Sequence, residues 1–158
     1  MEAVPRPAGA PLGIVDFAHT PDAIQASLRA LGKSGAGRII AVLGAGGERD
    51  QGKRPLMGAA AAARADLVIV TDDNPRREDP GEIRAAILAG TGTGRAQVRE
   101  VPGRAAAIRA AVGAATGADT IAVLGKGHER SLTGPDGAQP WDDREALAQA
   151  IEEGGPWR

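Results

Sequence analysis

Leu67-Val68-Ile69-Val70-Thr71 runs directly into Asp72-Asp73-Asn74-Pro75-Arg76. An aliphatic run without polar alternation reads as a strand covered on both faces. The abrupt change to acid, amide, proline and guanidinium marks a loop at its carboxyl end. That loop has the makings of a clamp for a small zwitterion, with Arg76 forking onto a carboxylate and Asp73 offered to an ammonium. The plainer alternative is a turn started by Asp and Asn before proline, with arginines on a solvated surface.

Outward from this run, strand and helix patterns alternate. Further strands are expected at Gly13–Phe17, Arg38–Leu43, Gln97–Val101 and Asp119–Leu124, the central one being Asp66–Thr71. Helices are expected at Pro21–Leu31, Pro55–Arg64, Pro80–Ala89, Arg104–Ala115 and Asp142–Glu152. Ile24, Leu28 and Leu31 recur at helical spacing, and Thr20-Pro21 supplies a cap followed by proline at the first helical position. The alternation predicts an α/β fold: a doubly wound, mostly parallel sheet with helices on both faces. Ser131–Pro140, with Gly134-Pro135-Asp136-Gly137 at its middle, reads as a turn or small hairpin. Residues 1–12 read as linker, 13–153 as the domain and 154–158 as tail.

Composition narrows the function classes. A chain of 158 residues suits one domain, and a domain of that size buries about 70% of its unfolded surface. Nineteen basic and twenty acidic side chains leave a formal charge of −1, so no global field draws the chain to nucleic acid or to a membrane surface. No cysteine is present, which excludes disulfides, thiolate zinc sites and a cysteine nucleophile. The start of the chain lacks the pattern of a signal peptide, and no apolar run approaches the roughly 20 residues needed to span a bilayer. The expected setting is the cytoplasm. With only Phe17, Trp141 and Trp157 as aromatics, the core must be built from Ala, Val, Ile and Leu.

The unusual residues follow four of the five expected strands, where ligands bind in open α/β sheets. After the second comes Gly44-Ala45-Gly46-Gly47-Glu48-Arg49-Asp50-Gln51-Gly52-Lys53-Arg54. It satisfies G-x-x-x-x-G-K from Gly47 but places Arg54 where a P-loop needs the hydroxyl that holds magnesium. It fails the dinucleotide fingerprint at Arg49. A glycine-rich turn explains the glycines but not Arg49 and Lys53, which would suit an anion beside a helix start. After the fifth comes Gly125-Lys126-Gly127-His128-Glu129, where Glu129 is placed to take an ammonium. With only His19 and His128 in the chain and no H-E-x-x-H spacing, no metal site is expected. Asp16 and His19 close the first strand. Asp142 with Glu145 reads as a helix-start capping pair.

Taken together, Val15-Asp16-Phe17-Ala18-His19-Thr20-Pro21-Asp22, the glycine-rich Gly46–Gly58 segment, Asp73–Arg76, Gly125–Glu129 and Trp141–Glu145 resemble the C-terminal domain of the Mur ligases, in that family's order. DNPR and GKGHE jointly are specific to its meso-diaminopimelate-adding branch. The likeness runs from about Gly13 to Ile151 and implies a Rossmann-like domain. It implies a diaminopimelate pocket of Arg49, Asp73, Asn74, Pro75, Arg76, Gly125 and Glu129, with Asp16 and His19 facing a nucleotide and no catalytic residue in this chain. That branch adds meso-diaminopimelate to UDP-N-acetylmuramoyl-L-alanyl-D-glutamate in peptidoglycan synthesis, using ATP and Mg²⁺ held by other domains. The ATPase and UDP-sugar domains have no counterpart here, so the chain is expected to be inactive alone and to bind no cofactor tightly. It reads as an excised domain, a truncated reading frame or a partner acting in trans. Phe17, Ala45 and Glu48 depart from the family's usual tyrosine, cysteine and aspartate. The reading from another class is a stand-alone nucleotide- or phosphate-binding module built on Gly44–Arg54.

Overall fold

The computed structural model describes residues 1–32 and 37–157. In chain order the elements are β1 (Glu2–Ala3), β2 (Leu12–Asp16), α1 (Pro21–Gly32), β3 (Ile39–Leu43), α2 (Lys53–Arg64), β4 (Leu67–Val70), α3 (Pro80–Leu88), a 3-10 turn (Thr91–Thr93), β5 (Gln97–Glu100), α4 (Arg104–Ala114), β6 (Thr120–Leu124), β7 (Ser131–Gly134), β8 (Gly137–Pro140) and α5 (Asp143–Glu153). Six strands form one sheet in the order β1-β2-β6-β3-β4-β5, parallel except for β1. A separate hairpin pairs β7 with β8. The expected strands, helices and hairpin are all present, with ends shifted by one or two residues.

Alternation within the apolar runs decides which residue meets which helix layer. Ala41, Leu43, Val68, Val70, Ala122 and Leu124 face α1 to α3, where Ile24, Leu28, Met57, Ile83 and Ile87 pack. Ile40, Val42, Leu67, Ile69, Ile121 and Val123 face α4 and α5, against Ile108, Val112, Leu147 and Ile151. Both faces of β3, β4 and β6 are therefore buried, which is why those runs lack the polar alternation of a half-solvated strand. Edge strand β5 (Gln97-Val98-Arg99-Glu100) is mostly exposed, so its sequence is polar.

The connections make the site. From β3 the chain steps outward through β4 to β5 with α2 and α3 on one face. It returns through α4 on the other face and sets β6 between β2 and β3. The carboxyl ends of β3 and β6 thus lie side by side where the winding changes direction, the place where open α/β sheets leave a crevice. The four strand ends that carry unusual residues, those of β2, β6, β3 and β4, are consecutive neighbours.

The segment read as linker contributes more than linkage. Glu2 and Ala3 pair with Val15 and Ile14, Val4 is buried, and Arg144 reaches Glu2 at 3.4 Å. Two residues of strand leave no periodic signal, and proline and alanine hide it further. In the expected tail the Trp157 indole donates to the Ile151 carbonyl at 3.0 Å; Arg158 lies outside the described residues. Helix α2 begins at Lys53 rather than Pro55, so Pro55 sits in the first turn, where an N–H would have no intrahelical acceptor. No helix among the described residues is long and apolar enough to cross a membrane.

Ile121 is fully buried at the centre of the sheet, whereas Leu56 is 59% exposed on α2. Ile121→Ala is expected to lower unfolding free energy by about 2–5 kcal/mol, and Leu56→Ala to stay within about 0.5 kcal/mol of the parent. Urea titrations of both variants check this, and equal losses would mean that Ile121 does not lie at the centre of the core.

Candidate functional site

A cavity of about 250 Å³ opens beyond the strand ends, lined by residues that include Phe17, His19, Gly44, Gly46, Arg49, Lys53, Asp73, Asn74, Arg76, Gly125 and Glu129. One wall is the loop after β3. Gly47 lies so close to the next loop that a Cβ there would stand 1.9 Å from the Pro75 carbonyl oxygen, so only glycine fits. The Gly47 N–H donates to the Asn74 carbonyl at 2.8 Å. Arg54, where a P-loop would carry its hydroxyl, is buried and spans two loops: it forks onto Glu78 at 2.5 and 2.8 Å and donates to the Gly46 carbonyl at 3.1 Å. The hydrogen bonds from Arg54, joined by the Glu48 N–H, pull the Glu78 carboxyl down to about 2.

That clamp decides the magnesium question for this loop. No hydroxyl stands at the position that would ligate the ion, and the guanidinium there is committed to Glu78. Among the described residues no group of three or more His, Asp or Glu side chains is arranged to hold a metal. The residues present do not fit a self-contained magnesium-nucleotide site.

Arg76 sits in the left-handed region (φ +55°), which turns its side chain back over the glycine loop. One terminal nitrogen donates to the Gly47 carbonyl at 2.9 Å and, more weakly, to that of Asn74 at 3.4 Å. No carboxylate among the described residues pairs with Arg76, Arg49 or Lys53. Arg76 and Arg49 straddle Gly46, since a methyl there would lie 3.0 Å from Arg76 Nη1 and 3.6 Å from Arg49 Cγ.

The opposite wall is acidic and tightly organised. Lys126 is fully buried; its ammonium donates to Glu129 Oε2 at 2.9 Å, Asn74 Oδ1 at 3.0 Å and Asp73 Oδ1 at 3.3 Å. Asn74 joins three segments, because Oδ1 also accepts from the Thr133 N–H at 2.8 Å and Nδ2 donates to Glu129 Oε2 at 3.2 Å. Burial works against charge on Glu129, but Lys126, Asn74 and Arg104 outweigh it and hold the carboxyl below its ordinary range. Behind Asp73 lies Arg104, fully buried, 4.0 Å from Asp73 Oδ2 and forked onto Asp143 with both bonds at 2.7 Å.

Six of the residues expected in the pocket, Arg49, Asp73, Asn74, Arg76, Gly125 and Glu129, line this one cavity, as does His19. Pro75 does not line it and instead forms the turn against which Gly47 packs. Asp16 also faces elsewhere: its oxygens accept from the Ala18 N–H at 3.2 Å and the Ser27 hydroxyl at 2.7 Å, tying the β2 loop to α1. Asp73, expected to be open to an ammonium, already holds Lys126 and neighbours Arg104. At the Asp142 cap the partner is the Arg144 N–H at 2.9 Å, while the adjacent Asp143 is the buried partner of Arg104.

The family model described as "Mur ligase, glutamate ligase domain" matches residues 1–127. The chain belongs to the Mur ligase family. A relative from Caulobacter vibrioides is 54% identical over 139 residues, covering 87% of this chain and 28% of its own length; it is named UDP-N-acetylmuramoyl-L-alanyl-D-glutamate–2,6-diaminopimelate ligase. A relative of the same name from Bradyrhizobium diazoefficiens is 49% identical over 151 residues, or 96% of this chain and 30% of its own. A solved structure of a ligase with that name superposes with a TM-score of 0.88 at 37% identity, covering 97% of this chain and 31% of that one. This chain therefore spans less than a third of the length of these Mur ligases. The departures at Phe17 and Ala45 lie on the cavity wall. Phe17 stacks against His19 and His128 with ring centroids 4.5 and 5.5 Å apart.

Because the folded-state value of Glu78 lies below the ordinary 4.5, the clamp with Arg54 contributes fully above that pH and is lost as pH falls toward 2. Glu78→Gln is expected to flatten the acid dependence of stability across this window. Urea midpoints measured from pH 5 to pH 2 read it out; parallel curves for parent and variant would remove the clamp from the account.

Proposed function

We propose that this chain is the diaminopimelate-orienting C-terminal domain of an ATP-dependent amide ligase that extends UDP-N-acetylmuramoyl-L-alanyl-D-glutamate in cytoplasmic peptidoglycan synthesis. The observation that carries this is the polarity of one small cavity. Its cationic wall offers Arg49 and Arg76, neither held by a carboxylate among the described residues, and its acidic wall offers Glu129. A carboxylate and an ammonium on one carbon, as at the distal end of meso-diaminopimelate, would meet both walls at once through charge-assisted bonds.

The site residues then have distinct tasks. Arg76 and Arg49 take the distal carboxylate, and Glu129 takes the distal ammonium. Gly125, at φ +109° between Asp73 and the β3 loop, keeps the cavity floor free of a side chain. Asn74 and Asp73 hold these groups in register, and Pro75 shapes their loop. Held by its far end, the ligand presents its other amine outward. There it attacks the acyl phosphate that ATP forms on the dipeptide carboxylate elsewhere in the longer enzyme; the amide bond forms, the bond to phosphate breaks, and inorganic phosphate and a proton leave. This is catalysis by orientation, in which raised effective molarity supplies the rate. Lysine has the same reactive amine but no distal carboxylate, and would leave the arginines without an anion.

Relatives 54% and 49% identical over most of this chain are named for that substrate pair, which supports the reading. The stand-alone nucleotide-binding alternative must explain a loop whose hydroxyl position is filled by Arg54 bound to Glu78.

Calorimetric titration of the 158-residue chain is expected to show weak binding of meso-diaminopimelate. Lysine should bind about 10- to 100-fold more weakly, the range for a lost charge-assisted pair. Arg76→Ala should bring the two ligands close to parity. A melting temperature raised by ATP or ADP but not by meso-diaminopimelate would instead favour the nucleotide-binding module.

A further inference from the structure

We propose that Lys126 is the internal counter-charge of the acidic wall, a positioning residue shared by Asp73 and Glu129 that leaves one net negative charge at the Glu129 end and so limits this end of the cavity to a single ammonium. The charges behind the wall alternate in sign. Asp143 pairs with Arg104 at 2.7 Å, Arg104 approaches Asp73 at 4.0 Å, Asp73 meets Lys126 at 3.3 Å, and Lys126 meets Glu129 at 2.9 Å. Three carboxylates against two cations leave one negative charge. Exposure locates it: the side chains of Asp143, Arg104 and Lys126 are 0% exposed, Asp73 is 10% exposed, and Glu129 is 38% exposed. The excess therefore lies at the open end, facing the cavity.

Physical necessity supports the order. An unpaired charge in a dry interior is strongly unfavourable, so each buried member needs a neighbour of opposite sign. Without Lys126, Asp73 and Glu129 would approach one another with no cation between them, and one would take up a proton. Arg104 stays beside Asp73 at 4.0 Å, and a proton on Glu129 would occupy the group that the ligand's ammonium needs. Other groups facing it from neighbouring elements are Asn74 on the β4 loop and Arg104 on α4. Arg49, Lys53, Arg76 and His19 stand around the rest of the cavity. Lys126 reaches no cavity surface itself, so it acts through the carboxylates it holds. The direction of the Glu129 shift agrees: its carboxyl is held low against the effect of burial.

The ligand class named in this inference rests on the proposed function, but its test does not. Glu129 is titrated by carboxyl-carbon NMR in the ligand-free chain. In the parent it should titrate below the ordinary glutamate range. In Lys126→Met it should move up from the parent value, because burial and Asp73 are then opposed only by Asn74 and Arg104. In Lys126→Met/Asp73→Asn it should fall back, since the competing carboxylate is gone. The double variant should also melt higher than the single one. Should Lys126→Met not fold, a folded double variant sustains the proposal and an equally unfolded one overturns it. An unchanged Glu129 titration in folded Lys126→Met also overturns it. Failure of the parent to bind meso-diaminopimelate would count against the proposed function alone.

Discussion

An ammonium shut away from water must find acceptors inside the protein, and at Lys126 this requirement shapes the whole rim of the sheet. Its three acceptors come from two loops that follow β4 and β6, strands separated by β3 in the sheet. The loops can satisfy it only by arching over the end of β3, which closes one side of the cavity. Asn74 extends the bond network to the hairpin through Thr133 and to the glycine loop through Gly47. A polar network of this kind is favourable only when its members are satisfied. Each acceptor named here receives at least one bond, so the wall is a single cooperative unit rather than a set of independent side chains.

The glycine-rich loop is docked onto that unit by different means. Contact of the Gly47 backbone with Pro75 removes any room for a side chain, and the Arg54–Glu78 fork holds the loop's far end. These attachments give Arg49 and Arg76 a fixed neighbourhood while leaving their guanidinium groups without an acidic partner among the described residues. An acidic wall with one net negative charge facing cations held by no carboxylate is the chemical character of the site. Cations beside a cavity without a carboxylate partner are the groups that the proposed ligand carboxylate would use.

Much of this was legible in the chain. The strands were, because burial on both faces makes β3, β4 and β6 continuously aliphatic. The placement of the cavity was too, because the residues that are neither core nor simple turn formers follow β2, β3, β4 and β6, while nothing comparable follows β5. Strand order was not, since it depends on α4 crossing back over the sheet, a long-range choice with no local mark. Among site residues the clamp members were recognisable by type, but what stands behind them was passed over. Lys126 lies between two glycines directly after a buried strand, a place from which its stem has little route to solvent. Arg104 shares a face with Ala107, Ile108 and Ala111, and Asp143 with Leu147, Ala150 and Ile151. In both helices the apolar stripe begins with a charge, which was the available sign that the two meet. Asp142, as a helix cap, drew attention away from its neighbour.

The small hairpin after β6 has a consequence for how the chain tolerates change. Thr133 lies opposite Ala138, one pair in from the Gly134–Gly137 closure, and its N–H and carbonyl turn outward to Asn74 and to the Arg76 N–H. The β4 loop therefore bonds to the free outer edge of β7. Because outward and inward backbone groups alternate along such an edge, a slip of one residue would withdraw both partners together. The number of residues between Glu129 and Thr133 is thus a ruler for the guanidinium of Arg76, set on a surface that looks free to vary.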